Sequence, residues 1–464
     1  MVFPAPRCPV RAVTGTAFTR PSLVDNDSHP EVGRGKVCAV SSHRREKPAR
    51  SQGHGHGHGH GHGGDLAPVR IGTTARTALL AVLALALVGT LVGLVVWWPP
   101  GDAAERSAKA GGPAAQFAAP GVTFPSAEVV KVSPRCAGNG LPDGSGCSSL
   151  TVKVAEGEKG AGDTVRVDVP PEVIDSGLGK GDHVELLRTP TPDAAQDASY
   201  SYFATERYGT LVWLSVLFVV VVLAVARLRG LLGLVGLAFG GAVVWWWMLP
   251  ALLDGAPGVG VALVSAAAIM FVVLYTTHGF SLRTSTALAG TLLGIVLTAG
   301  IGVLAIGDAR LTGISDEGGA ILATFGALDF QDLLGCALVI AGLGVLNDVT
   351  ITQASAVWEL RAATPDASRT EVFTSAMRIG RDHIASTIYT IVFAYVGTAL
   401  ILLMLLRVYD RPLLELISTE QLAEEVVRTL VTSIGLVLAV PVTTAVAALI
   451  AAPRPAADRA GIAS

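Results

Sequence analysis

Eight separated runs of apolar residues constrain the fold of this chain more than any other feature. The first, Thr77 to Trp98, holds 22 residues without a charge. At 1.5 Å per residue such a helix reaches roughly 33 Å, enough to cross a bilayer core of about 30 Å. Because 51% of the 464 residues are hydrophobic and only 15% are charged, lipid is the expected solvent. The other seven runs are Tyr208 to Ala226, Leu231 to Leu253, Gly258 to Thr276, Thr284 to Ile306, Leu333 to about Val357, Ser386 to Leu406, and Val426 to Ala451.

These runs predict a membrane α-helical bundle of about eight transmembrane helices, and the positive charges between them predict its orientation. Short cytoplasmic connections are enriched in Lys and Arg. Alternate connections carry the bases, whereas 307–332 holds five acids and Arg310 alone. The outer connection 407–425 has two bases, but acids outnumber them. We therefore expect a multi-pass protein of a bacterial cell (plasma) membrane with cytoplasmic N- and C-termini. The bases in question are Arg227, Arg229, Arg283, Arg361, Arg369, Arg378, Arg381, Arg454 and Arg459.

Residues 1–76 form a basic segment that we interpret as a disordered cytoplasmic tail. It contains eleven Lys or Arg against five acids, and a His-Gly repeat in its middle. Neutral imidazoles on a flexible chain suit Zn, Ni or Cu, so a divalent metal is the one cofactor the sequence suggests. Dipeptide repeats also expand easily in disordered tails, and both interpretations stay open. The candidate ligands are His54, His56, His58, His60 and His62.

Residues 99–207 predict a small extracytoplasmic β-rich domain between the first and second helices. Alternating, Val-rich segments at 127–132, 149–155, 164–169 and 183–188 are separated by Gly, Pro and Asp turns. Four or five short strands suggest a barrel or a sandwich, and an OB-like barrel is one option. Cys136 and Cys147 flank a Gly-rich loop of this domain, and an oxidising compartment favours a disulfide between them over two free thiols.

Polar residues in the sixth apolar run give the strongest functional signal. Asp348, Thr352, Ser355 and Glu359 recur at intervals of three or four and share one helical face with Gly344. Polar groups in a span are costly in lipid and usually face the bundle interior or a wet cavity. The stripe, with Asn347 beside it, predicts a cation or proton site or a polar lining; the alternative is a structural cluster that joins helices.

A charged segment enters the seventh run and gives further candidates. Arg378, Arg381, Asp382 and His383 lie at its predicted cytoplasmic rim. They can pair with acids of the sixth helix or simply anchor the helix at the headgroups. His278, at the inner end of the fourth run, is another candidate, although a lone histidine there is more often an interfacial residue than a ligand.

Several sequence blocks resemble the YibE/F family of multispanning membrane proteins. They are 277–284 (THGFSLRT), 287–294 (ALAGTLLG), 342–350 (GLGVLNDVT), 353–360 (QASAVWEL), 380–385 (GRDHIA) and 394–397 (AYVG). The resemblance covers roughly residues 120–450. It implies a membrane location and an extracytoplasmic domain before the helical bundle, but no substrate. One departure is Tyr389-Thr-Ile391, where the family pattern has an Asn-Thr-Leu-like step.

Together these features divide the chain into a tail (1–76), a first transmembrane helix (77–98), the β-rich domain (99–207), a seven-helix YibE/F-like membrane domain (208–451) and a second cytoplasmic tail (452–464). No nucleotide-binding loop, metalloprotease motif or serine-hydrolase elbow occurs, so we do not expect an enzyme. A net charge of -3 argues against nucleic acid as a partner. The leading hypothesis is a transporter or permease of unknown substrate.

Two alternatives remain from the sequence. The first is a non-transporting membrane scaffold or sensor whose outer domain binds a partner. The second, weaker alternative is metal handling through the His-Gly tail. The lipid bilayer is the expected surrounding, and a membrane-protein partner or a homo-oligomer is compatible with either function.

Overall fold

The computed structural model describes residues 69, 71–99, 101, 121–133, 148–191, 198–323, 328–408 and 412–453. Chain contacts divide the protein into two units, and all described residues belong to the second, Asp65–Ser464. The metal-ligand candidates His54 to His62 and the disulfide candidates Cys136 and Cys147 lie outside the described residues. In chain order the elements are α1 (Thr73–Val96), β1 (Ser126–Ser133), β2 (Ser149–Val154), β3 (Thr164–Asp168), α2 (Pro171–Asp175), β4 (His183–Pro190), β5 (Ala198–Thr205), α3 (Tyr208–Val243), a π-helical turn (Val244–Met248), α4 (Leu249–Leu253), α5 (Gly258–His278), α6 (Leu282–Ala309), α7 (Glu317–Ala323), α8 (Phe330–Ala363), α9 (Arg369–Thr398), α10 (Leu400–Val408), α11 (Leu413–Ile417) and α12 (Glu420–Ile450).

Six helical stretches of the described chain are long and apolar enough to cross a membrane, or seven if a bent pair counts as one span. The six are α1, the continuous stretch Tyr208–Leu253, α5, α6, α8 and α12. The bent pair is α9 with α10, whose axes meet at 63°. The predicted seventh run, Ser386 to Leu406, crosses this bend.

The second and third predicted runs both fall in the stretch Tyr208–Leu253, which has 46 residues. A straight helix of that length would measure about 69 Å, more than twice a bilayer core. Arg227 interrupts it with φ 52° and ψ -131°, a non-helical conformation. A Cβ added at Gly230 would lie 2.8 Å from the carbonyl oxygen of Val222, although residues eight apart in a straight helix are separated by about 12 Å. The chain therefore turns sharply at Arg227.

Small residues and threonines join α6, α8 and α12 in the core of the bundle. A Cβ added at Gly290 of α6 would lie 2.1 Å from Oγ1 of Thr443 in α12. The hydroxyls of Thr291 in α6 and Thr350 in α8 are 2.6 Å apart and buried. Without a hydrophobic driving force between helices in lipid, such close approach supplies van der Waals contact and hydrogen bonds. These three helices form a tightly packed unit.

The five strands form a nearly closed antiparallel sheet in the order β3-β2-β1-β4-β5. Alternate residues of the strands are apolar and meet in one core, which is the physical basis of the predicted alternation. The two edge strands are linked where the Tyr200 hydroxyl donates to Asp163, at 3.0 Å. Burial, with Asp163 acting in the same direction, raises the pKa of Tyr200, whereas Arg188 opposes this.

The sequence segment Ala320 to Leu328 is too short to span a membrane and is a candidate re-entrant piece. It begins within the short helix α7. Residues 324–327 lie outside the described chain.

Candidate functional site

The polar stripe of the sixth run lies on the exposed side of α8. The exposed positions between Leu333 and Leu360 form a single file along the helix, namely Ala337, Ala341, Gly344, Asp348, Thr352 and Glu359, and Ser355 in the same file is half-buried. We call this file the α8 stripe. The opposite face of α8 is occupied by the packing against α6 and α12. Polar residues in a span are expected to face the inside of the bundle. In a single chain the α8 stripe faces outward instead.

Asp348 of the α8 stripe faces His383 of α9. Nε2 of His383 lies 3.8 Å from Oδ2 of Asp348, and the side chains are 29% and 71% exposed. This distance is too long for a hydrogen bond, but it makes an ion pair when the imidazole is protonated. Within the described chain, His383 Nε2 is buried and has no hydrogen-bond partner. The structure therefore sets a carboxylate and an imidazole at ion-pair distance across the α8–α9 contact.

Asn347 lies beside this pair, half-buried. Its Oδ1 is buried and has no hydrogen-bond partner within the described residues. Thr352 donates its hydroxyl to the backbone oxygen of Asp348 at 2.7 Å, so its oxygen still has lone pairs to offer. Buried polar atoms nearly always have a hydrogen-bond partner, so the Asn347 Oδ1 is an acceptor that can still take a hydrogen bond.

A buried amide holds α9 against α8 one turn of α9 before His383. Gln353 of α8 is 2% exposed, and its Nε2 donates to the backbone oxygen of Ala376 at 2.9 Å. Gly380 of α9 packs against the same side chain, with an added Cβ only 3.0 Å from the Gln353 Oε1. This contact holds α9 against α8 close to the level of Asp348. The sequence signal for Gln353, an amide within an apolar run, was present but was not singled out.

The other residues of the charged segment do not join the pair. Arg378, Arg381 and Asp382 are exposed on α9, on the same helix as His383 but turned away from the buried contact. The helix begins at a capping box in which Ser368 and Glu371 each bond the other's backbone N–H. The structure thus brings Asp348 and His383 together and leaves the three neighbours on the surface.

His278 lies elsewhere, at the carboxyl end of α5. Its Nδ1 is 2.7 Å from the Thr277 hydroxyl. Glu359, at the carboxyl end of the α8 stripe, lines a cleft of about 470 Å³ together with Trp358, Ser281 and Arg283. Neither residue has a described contact with Asp348 or His383.

Arg361 is a buried cation that sequence reasoning assigned to a cytoplasmic loop. It is 2% exposed. Its Nε donates to the backbone oxygen of Ala451 at 3.0 Å, and its Nη1 donates to that of Ala367 at 2.5 Å. The guanidinium therefore joins the ends of α8 and α12 to the α8–α9 connection. Nothing in the local sequence separates this arginine from the exposed ones.

A second polar cluster missed by the sequence lies at the amino end of α12. Glu424 is 6% exposed and accepts a hydrogen bond from the Ser315 hydroxyl at 2.8 Å. The Thr312 hydroxyl donates to Glu420 at 2.9 Å. These bonds fasten the loop after α6 to α12.

The described residues contain no group of three or more His, Cys, Asp or Glu side chains that could hold a metal ion. Asp348 and His383 form a group of two.

A family model described as YibE/F-like protein matches residues 214–453, which is 240 of the 464 residues. Neither a curated protein nor a solved structure matches the chain. The match contains Asp348, His383 and the whole α8 stripe, whereas α1 and the β domain lie outside it, so it is shorter than the resemblance over roughly 120–450. Since it spans more than half of the sequence, the chain belongs to the YibE/F-like family.

Proposed function

We propose that this protein is a transporter or permease of the bacterial plasma membrane, coupled to an ion gradient, with the Asp348–His383 pair as the ion-binding site. The observation that carries the proposal is an ionisable pair, 3.8 Å apart, formed by Asp348 of α8, a helix long and apolar enough to span the membrane, and His383 of α9. Ionisable residues in spans are expensive and commonly mark ion pathways or proton relays.

The neighbours of the pair support this function. The orphaned Asn347 Oδ1 and the Thr352 hydroxyl add neutral oxygens beside the carboxylate. Because α6 and α12 pack tightly against the opposite side of α8, the side that carries Asp348 is the polar surface of this helix.

We further infer eight membrane crossings with both termini in the cytoplasm. The sharp turn at Arg227 divides Tyr208–Leu253 into two crossings, and α9 with α10 supplies a bent one. This topology places Arg227, Arg229 and Arg283 inside, as the positive-inside rule requires. Cysteine-accessibility labelling of the two termini and of the 254–257 connection tests this arrangement; labelling of a terminus from outside intact cells would contradict it.

The transport proposal is tested with purified full-length protein in liposomes containing a pH-sensitive dye. We expect an imposed pH gradient to collapse faster than in empty liposomes. Asp348→Asn and His383→Gln should each abolish the difference, because each removes one partner of the pair. Asp308→Asn, which changes an exposed carboxylate at the end of α6, is the matched control and should retain the flux.

The same variants can be examined in cells that lack the native protein. If Asp348→Ala combined with Asn347→Ala inserts normally yet complements every knockout phenotype, the site is rejected. If wild-type liposomes show no flux for protons or for any added cation, the transport function itself is rejected.

A scaffold or sensor is the second candidate function. The strand order, with a helix between β3 and β4, is that of an OB-type barrel, a fold whose loops often bind ligands. A polar cleft of about 510 Å³ at the end of this barrel is lined by Asp182, His183, Glu206 and Arg207, among others. Co-purification of one stoichiometric partner with a protein that shows no flux would favour this function.

Metal handling by the His-Gly tail is a weaker proposal, and deletion of 53–64 followed by growth under metal stress tests it.

A further inference from the structure

Glu424, near the amino end of α12, is a buried carboxyl group that the Asp348–His383 pair does not involve. Only 6% of the residue is exposed. Its Oε2 accepts a hydrogen bond from the Ser315 hydroxyl at 2.8 Å. Its Oε1 is also buried, and within the described residues this atom has no hydrogen-bond partner. One oxygen of the carboxyl group is therefore satisfied by the protein, and the other is not.

The loop after α6 is fixed in place over this carboxyl group. Gln421 donates its Nε2 to the backbone oxygen of Ser315 at 2.6 Å. The Thr312 hydroxyl donates to Glu420 at 2.9 Å. These two bonds hold the Ser315 hydroxyl against Oε2 of Glu424, and they use donors that could otherwise reach Oε1.

The charges around Glu424 act in both directions. Glu420 on α12 and Asp316 in the loop after α6 are close enough to repel a carboxylate at this position, whereas Arg428, one turn further along α12, attracts it. Arg428 is already paired with Glu425, at 3.0 Å. Removal from water and like charges nearby both disfavour the ionised form of a carboxyl group.

An ionised Glu424 would leave a charged oxygen buried without a donor. Such a charge is costly, and a buried carboxyl group commonly takes up a proton instead. A proton on Oε1 removes the charge and leaves Oε2, now the carbonyl oxygen of the acid, to accept from Ser315 as before. A metal cation would need several further oxygen ligands at Oε1, whereas a proton needs none.

Glu424 lies far from Asp348. A Cβ added at Gly342 of α8 would lie 3.5 Å from Cγ2 of Thr432 in α12, and Arg361 near the end of α8 bonds a backbone oxygen at the end of α12. The two helices therefore run side by side in the same direction. At 1.5 Å per residue, the two carboxyl groups are separated by about 21 Å along the helix axes, with Glu424 nearer the amino ends.

We propose that Glu424 is a second proton-binding site of this protein, and that the proton is held on its buried Oε1. On binding, hydronium gives up a proton, an O–H bond forms at Oε1 and a water molecule is released. In the topology proposed above, the amino end of α12 faces the outside of the cell. The inference rests on the proposed function in one respect, namely that Glu424 takes up the proton that enters the transporter from outside.

The first test detects the proton by infrared difference spectroscopy of the full-length protein in liposomes. Exposed glutamates titrate near pH 4.3, so a carboxylic acid band that persists at about pH 6 comes from a perturbed group. We expect Glu424→Gln to lose such a band from the wild-type spectrum. Glu415→Gln, at an exposed glutamate of α11, is the matched control and should keep it. Glutamine retains an acceptor for Ser315 and has the shape of the protonated acid, so the variant is expected to fold.

The second test changes the affinity of the site for the proton. Ser315→Ala removes a hydrogen bond that stabilises the ionised form more than the acid, because bonds to charged groups are stronger. The pH at which the Glu424 band is half lost should therefore rise by about one unit, which is about tenfold tighter proton binding. Ser418→Ala, at an exposed serine after α11, should leave this pH unchanged.

Identical acid bands in the wild type and in Glu424→Gln would overturn the proton site, as would a half-loss pH that does not rise in Ser315→Ala. Where the wild type carries proton flux, we expect Glu424→Gln to lose it and Glu415→Gln to retain it. Wild-type flux in both variants removes Glu424 from the proton pathway. Because the spectra do not use flux, a proton on Glu424 in a protein without flux removes the transport function alone.

Discussion

Gly435 lies where α12 crosses α6, and a methyl group there has no room. A Cβ added at Gly435 would lie 2.0 Å from Oγ1 of Thr298, 3.1 Å from its Cβ and 3.4 Å from its Cγ2. The Thr298 hydroxyl is held by a bond to the backbone oxygen of Gly294 at 2.8 Å. Rotation about χ1 would move Oγ1 away, but it would break this bond and leave the Thr298 Cβ only 3.1 Å from the new methyl group. We therefore expect Gly435→Ala to destabilise the helix packing.

Two effects of Gly435→Ala oppose each other. Alanine in a helix is favoured over glycine by about 0.5–1 kcal/mol, and overpacking a close contact costs about 1–3 kcal/mol. Gly300→Ala in α6 receives the first effect alone, because no described atom lies within 4 Å of its added Cβ. The difference between the two variants isolates the overpacking cost. At about 1.4 kcal/mol per tenfold, it corresponds to about a 5- to 140-fold change in the unfolding equilibrium.

The assay is equilibrium unfolding of the full-length protein in mixed micelles, with Thr298→Ala and the Gly435→Ala/Thr298→Ala pair completing a double-mutant cycle. Removing the Thr298 hydroxyl and methyl should restore part of the stability that Gly435→Ala loses. Equal stability of the Gly435→Ala and Gly300→Ala proteins would refute the reasoning, as would a double variant that shows no coupling.

Three further predictions concern other parts of the chain. Arg361→Met leaves two backbone carbonyls without a charged donor. Because such bonds contribute about 1.5–3 kcal/mol each, the thermal stability of this variant in detergent should fall. Arg381 is exposed, so Arg381→Met should change the stability by less than about 0.5 kcal/mol. A similar loss in both would contradict this. The raised pKa of Tyr200 means that its stabilising contribution is present below about pH 10 and is lost as the pH rises through the folded value. The tyrosinate absorbance lost in Tyr200→Phe should therefore titrate above pH 10, and titration at or below it would disprove the shift. Non-reducing mass spectrometry should find Cys136 bonded to Cys147, and two alkylated thiols would exclude the bond.

Much of the architecture could be predicted because it depends on local sequence. A run such as Thr77 to Trp98 is apolar enough to partition into lipid whatever the rest of the chain does. The alternation in 127–132 and 183–188 likewise predicted β1 and β4, because one face of each strand must be apolar. Motif blocks indicated the family, which the match over 214–453 confirms.

The site was only partly predictable, because helical periodicity shows which residues share a face and not what that face meets. Asp348, Thr352 and Glu359 were expected together, but their exposure follows from α6 and α12 covering the other side of α8. The proximity of His383 depends on the packing of α9 against α8, which includes the buried bond from Gln353 to Ala376.

The sequence by itself determined that this is a membrane protein with a strand-rich insertion and a polar stripe on one long helix. These properties arise from residues near one another in the chain. Only the tertiary structure decided the sheet order, the sharp turn at Arg227, the burial of Arg361 and the exposed side of the α8 stripe. Each of these depends on contacts between distant segments, since the free energy of a buried group is set by the partners that packing brings to it.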